Sequence, residues 1–181
     1  MAAPMKHIAK SVIRFSNGLD RLATVMAGVA LVILVGAVML QVLARYVFNQ
    51  PPAYTEELAR YAMIWAGLMG ATISFKRRFD PALFTGEGSR NALLGLAAAL
   101  MRSAVVLIYL LPILWYVFYG PNMNPARGFL LRHSRTMADA LPFSTFWVAV
   151  AVPIMIVFIL VHLAARWCGD DGVPPADSDA T

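Results

Sequence analysis

The sequence predicts an all-α integral membrane fold of four transmembrane helices, preceded by an amphipathic helix lying in the membrane interface. Three observations lead there. The 181-residue chain is 60% hydrophobic and only 14% charged, where a soluble domain is about a quarter charged. Its mean hydropathy is +0.66. Four apolar stretches, 22–44, 58–75, 96–119 and 143–165, have about the 20 helical residues needed to cross a hydrocarbon layer roughly 30 Å thick. What is left over is too short for a soluble domain.

Residues 1–21 place Met5, Ile8, Val12, Phe15 and Leu19 at helical spacing, with Lys6, Lys10, Arg14 and Asn17 between them. That pattern suits a helix beside anionic lipid, the other reading being a frayed basic tail. The apolar run that follows, 22–44, is too long for the core of a secretory signal and no A-x-A site ends it, so it is expected to remain as the first span. A hairpin at 45–57 leads into the second span, 58–75, and a loop at 76–95 precedes the third, 96–119. Trp115, Tyr116, Phe118 and Tyr119 gather at the exit of the third span, and Phe143, Phe146 and Trp147 open the fourth, 143–165, as an aromatic belt would. Trp167 marks its other end. In the loop 120–142, Pro121 and Pro125 stop the third helix, and a short amphipathic helix over 126–138 is expected, with Phe129 and Leu130 on its apolar side. The acidic, proline-containing tail within 166–181 reads as disordered.

Basic residues set the sidedness. Lys6, Lys10, Arg14, Arg21, Lys76, Arg77, Arg78, Arg90 and Arg166 fall on one side; Arg45, Arg60, Arg127, Arg132 and Arg135 fall on the other. The positive-inside rule then puts both termini in the cytoplasm, with the hairpin and the 120–142 loop on the outer side. The net charge of +5 is explained by these flanking residues, so no nucleic-acid partner is expected and the lipid bilayer is the natural surroundings.

Chemistry of its own is not expected. Cys168 is the only cysteine, which excludes an internal disulfide and a multi-cysteine metal site. The alternative of a membrane anchor or electron-transfer subunit in a respiratory complex would need histidines at membrane depth to hold haem. Only His162 lies in a span; His7 is in the tail and His133 in a loop. Arg102, the one arginine within the third span, lies near its inner end, because 103–119 alone supplies 17 residues; it is placed to snorkel to the cytoplasmic surface or, in the other reading, to make an ionic contact with a partner helix. No carboxylate stands mid-span for a proton relay, and no phosphate loop or triad is assembled. Neither a cofactor nor an enzymatic activity is predicted.

The stretch "RYVFNQPPAYTEELARY", residues 45–61, is the most informative. Pro51 and Pro52 stop the first helix. Thr55 is placed to cap the second, with Glu56 and Glu57 in its first turn facing the positive end of the helix dipole. Glu56 and Arg60 are i,i+4 partners, and Glu57 and Arg60 are i,i+3. Arg45, at the end of the first span, is within reach of either carboxylate. The hairpin is therefore electrically neutral, which suits a partly buried ionic cluster. The other reading is a solvated loop whose ion pairs contribute about 0–1 kcal/mol each. Further along, Gly67, Gly70, Ala71 and Ser74 form a stripe of small residues that lets another helix approach closely in lipid, either a partner's or one of this chain's own.

The run "RYVFNQPPAYTEELARYAMIWAGLMGATISF" resembles the signature of the small membrane (Q-type) subunit of tripartite ATP-independent periplasmic (TRAP) transporters. Arg45, Tyr46, Phe48, Asn49, Pro51, Glu56, Glu57, Gly70 and Ala71 occupy matching positions, and "RTMADALPFSTFWVAVAVPI" fits around the last span. Tyr54 stands where that family usually has Trp, and "KRRFDPALF" lacks the histidine that often follows the second span. The resemblance implies a small permease subunit of the bacterial inner membrane, its hairpin and 120–142 loop in the periplasm, that packs on the scaffold of a large membrane subunit. That large subunit would take up an organic anion, delivered by a periplasmic substrate-binding protein, using an ion gradient, typically sodium. Arg45, Tyr46, Asn49, Pro51, Thr55, Glu56, Glu57, Arg60, Gly67, Gly70, Ala71 and Ser74 are expected to act as structural or interface residues, with none binding substrate or metal.

Overall fold

The computed structural model of the protein describes residues 3–50, 52–77, 92–170 and 172. Pro51, Arg78, Arg90, most of the 76–95 loop and most of the acidic tail lie outside the described residues. The described chain is helical throughout apart from its loops: α1 (Ala3–Val47), α2 (Ala53–Arg77), α3 (Ala92–Phe118), α4 (Phe129–Ser134), α5 (Phe146–Ala149) and α6 (Ala151–Trp167), with 3₁₀ turns at Pro121–Met123 and Pro125–Arg127. Three helical segments are long and apolar enough to cross a membrane: His7–Val47, Leu93–Met123 and Phe146–Trp167. The remaining long helix, α2, has 25 residues, about 37 Å at 1.5 Å per residue, and runs beside α1.

The basic segment at the N-terminus is continuous with the first span. α1 is one helix of 45 residues, about 68 Å long, and no turn separates 1–21 from 22–44. No proline stands between Pro4 and Pro51, and the Ser16-Asn17-Gly18 run, a loop signal by composition, stays helical with Ser16 and Asn17 bonded to His162 and Lys76 on neighbouring helices.

The pairing of α1 with α2 is the most extensive in the fold, and α6 lies against both, while α3 is held mainly by α6 and α4. On α1 the buried positions are Ser16, Ala23, Ala30, Ala37 and Ala44, together with Asp20 and Ala27. On α2 they include Thr55, Ala62, Met69 and Lys76. Both series advance in sevens, the repeat of helices that keep one seam together over many turns. The alanines matter because the hydrophobic effect gives no preference between lipid and protein here; small side chains let the backbones approach and gain dispersion contact. Met69 is fully buried in the seam, packed with Ala23, Ala27 and Phe158.

α5 and α6 form one rod of 22 residues, interrupted only at Val150, whose own backbone is helical. Pro153 accounts for the interruption: it has no N–H to offer the carbonyl of Ala149, and its ring crowds that oxygen.

Candidate functional site

α1 ends where Asn49 takes a left-handed backbone conformation, φ 53°. Asparagine tolerates that region better than any other residue with a side chain except aspartate and histidine. The turn lets the Gln50 N–H reach back to the Ala44 carbonyl at 3.2 Å. α2 then starts at Ala53, two residues before the expected cap. Thr55 is buried, and its hydroxyl donates to the Pro52 carbonyl at 2.7 Å. A cap would instead accept from an N–H inside the helix, so Thr55 is a buried brace on the turn.

The two adjacent glutamates separate. Glu56 points outward and accepts from Arg60 at 3.1 Å, with both side chains more than half exposed, a pair contributing about 0–1 kcal/mol. Glu57 is buried and ties α2 to the far loop. One of its oxygens accepts from the Tyr61 hydroxyl at 2.6 Å and the Asp139 N–H at 3.1 Å; the other accepts from the Ala140 N–H at 2.7 Å. These donors hold its carboxyl below the usual range, the Tyr61 hydroxyl most of all, with burial acting in the opposite direction. Arg45 is exposed, and among the described residues it pairs with neither carboxylate, so the expected four-charge cluster does not form. Its side chain leaves the far end of α1 pointing outward, as do Tyr46 and Phe48. A neutral hydroxyl and two backbone N–H groups, which cost less to desolvate than a guanidinium, take the place expected for the arginine.

The loop that Glu57 grips has its own architecture. The chain doubles back after α3, so closely that a side chain at Gly120 would meet the backbone of Arg127 and one at Gly128 the carbonyl of Phe118. The helix expected over 126–138 is limited to Phe129–Ser134, because beyond it Thr136 and Ala138 turn to pair with Thr145 and Phe143 (Thr145 N–H to Thr136 carbonyl 2.9 Å, Ala138 N–H to Phe143 carbonyl 3.0 Å). His133 Nδ1 and the Thr145 hydroxyl, 2.8 Å apart, close the base of this hairpin. Its tip presents the N–H groups of Asp139 and Ala140 to Glu57. Trp65 Nε1 donates to the Trp147 carbonyl at 3.1 Å, and the rings of Tyr61 and Phe143 lie 6.3 Å apart, completing the seam between α2 and the start of the last span.

A balanced, buried ionic cluster does exist, at the opposite end of the bundle. Arg77 donates to Asp20 at 3.1 Å and to the Thr24 hydroxyl at 3.2 Å. Lys76 donates to Asn17 and lies 3.9 Å from Asp170. Ser16 Oγ is 2.8 Å from His162 Nδ1. Lys76, Asp20, Ser16 and His162 are all buried, and two cations offset two carboxylates. The cluster joins α1, α2 and α6, and α3 is fastened nearby by Trp167 Nε1 donating to Ser103 at 3.0 Å. Sequence reasoning missed the constellation. The available signal was the polar entry into the seven-residue series, Ser16 and Asp20 leading to Ala23 and Ala27. Arg102, by contrast, stays exposed on α3 and donates to the carbonyl of Ala98.

On α2, Gly67 and Ala71 are exposed, and Gly70 and Ser74 half-buried. Apart from the adjoining backbone of α2 itself, no atom of the described residues lies within 4 Å of where a Cβ would stand at Gly67 or Gly70, so packing within the described bundle does not require glycine there.

A helical membrane protein, laced by polar ties at both ends and without a mid-span acidic site among its described residues, is the class these features define. The family whose model matches residues 34–171 is that of tripartite ATP-independent periplasmic transporters, DctQ component, and the chain belongs to it. Comparison with curated proteins and with solved structures gives no match. As a member of this family the chain is a component of a transporter, the small membrane subunit.

Proposed function

We propose that the chain is a four-span subunit, with both termini cytoplasmic, that packs on the scaffold of a large membrane subunit and supports ion-gradient-driven uptake of an organic anion delivered by a periplasmic binding protein. The observation that carries this reading is the uncovered small-residue face of α2, Gly67 to Ala71, in a chain of this family. In lipid such a face is useful only if another helix comes close, and none of the described helices does. The Glu57 tether and the inner ionic cluster hold α1, α2 and α6 as one unit, as a static support needs. Sodium as the coupling ion and a carboxylate as cargo follow from the family resemblance. The test is transport in proteoliposomes. The chain alone should accumulate nothing; with its large subunit and binding protein it should drive sodium-dependent uptake of an organic anion. Gly67→Leu and Ala71→Leu should lower recovery of the assembled pair without unfolding the lone chain. Uptake by the chain alone, or full assembly of both leucine variants, overturns the proposal.

A further inference from the structure

Arg127, Arg132 and Arg135 all lie in the outer loop, and together with Pro121, Ala126 and Thr136 they line a cleft of about 390 Å³. All three side chains are exposed, and among the described residues none makes a side-chain hydrogen bond or an ion pair. Of the carboxylates on this side of the bundle, Glu56 is engaged with Arg60 and Glu57 with Tyr61 and the loop backbone, while Asp139, four residues after Arg135, acts on Tyr61 and forms no ion pair with the three arginines. Three unpaired guanidiniums converging on one cleft create a positive potential that favours an anion, and a guanidinium fork matches the oxygens of a phosphate.

The position of the cleft narrows the occupant. Pro121 follows two residues after Tyr119, which stacks on Trp115 at 4.7 Å, and Trp147 is exposed at the same end of the bundle. Tryptophan and tyrosine in such belts sit at headgroup level, so the cleft opens where lipid phosphates lie. Its volume is that of a small-ligand site, whereas a protein partner needs a broad face of about 800 Å².

We propose that Arg127, Arg132 and Arg135 form a phosphate-binding cleft that holds the headgroup of an anionic phospholipid against the outer loop. The proposal concerns this chain's own residues and stands whichever leaflet that end faces.

The test uses the full-length chain in phosphatidylcholine nanodiscs containing a labelled phosphatidylglycerol, with lipid retention read by native mass spectrometry. Wild type should retain phosphatidylglycerol. Arg132→Gln/Arg135→Gln should bind it at least about tenfold more weakly, as expected for loss of charge-assisted bonds, and the corresponding double lysine variant should fall between the two. Arg45→Gln, an exposed arginine outside the cleft, should bind as wild type, and matched thermal unfolding confirms that the variants fold. Displacement of the lipid by inorganic phosphate, dependent on the same arginines, keeps the phosphate site and assigns its source to free phosphate. Equal retention by wild type and the double glutamine variant, or binding only of acidic soluble protein without preference for phospholipid, overturns the proposal.

Discussion

Met69 is the point at which α1, α2 and α6 meet, with no exposed surface and with Ala23, Ala27 and Phe158 around it. Met69→Ala removes three side-chain heavy atoms from that junction. In a water-soluble core the change costs about 2–5 kcal/mol, part of it transfer of apolar surface from water and part a cavity. In a bilayer the separated helices already lie in hydrocarbon, so the transfer part largely vanishes and the cavity part remains. Three groups each of about a water's volume, roughly 30 Å³, leave some 90 Å³; at about 24 cal/mol per Å³ this is about 2 kcal/mol. For a chain of this length that corresponds to a fall in Tm of about 4–8 °C. The control is Ile108→Ala on α3, where the side chain is 74% exposed and only lipid contact changes, so stability should scarcely move. Met69→Leu, which nearly conserves volume, should cost less than about 1.5 kcal/mol. Thermal unfolding of the purified chain in one detergent, followed by tryptophan fluorescence, compares the three. If Met69→Ala unfolds at the same temperature as Ile108→Ala, the three helices do not meet at this residue and the seven-residue seam is misplaced.

Glu57 should give a pH signature. Its folded pKa is held below the ordinary value near 4.5, so its tether contributes fully above that value and is lost as pH falls through the lowered one. The stability difference between wild type and Glu57→Gln should be full at neutral pH and shrink only in acid; a difference independent of pH would refute the tether. Arg45→Ala, removing an exposed side chain, should leave the lone chain as stable as wild type under the same conditions. Asn49→Val should destabilise the turn by about 1–2 kcal/mol because of its positive φ, whereas Asn49→Gly should be nearly neutral; chemical denaturation distinguishes them, and equal effects would mean the left-handed turn is absent. Cysteines placed at Asn49 and Asn124 should be labelled from the periplasm and one at Arg77 from the cytoplasm, the reverse pattern inverting the proposed topology.

The sequence by itself determined where helices run and roughly where they stop, because both are local or nearly so. Bilayer thickness sets the length of an apolar run, and the Pro-rich connection and the Asn49 turn act within a few residues. It also carried the family, through a motif dense in special residues, Arg45 to Asn49 and Glu56 to Glu57. Charge balance in the hairpin did not reveal which groups meet. Glu57 turns to the backbone of a loop 82 and 83 residues away, and the balanced ionic cluster lies at the other end, where Asp20, Lys76 and Asp170 come from distant parts of the chain. The inward face of each helix was likewise decided only in three dimensions. In a soluble helix the apolar stripe marks the core, but a helix in lipid is apolar on every side, so its inward face is chosen by which small or polar residues find a complementary neighbour. That neighbour exists only once the helices have packed.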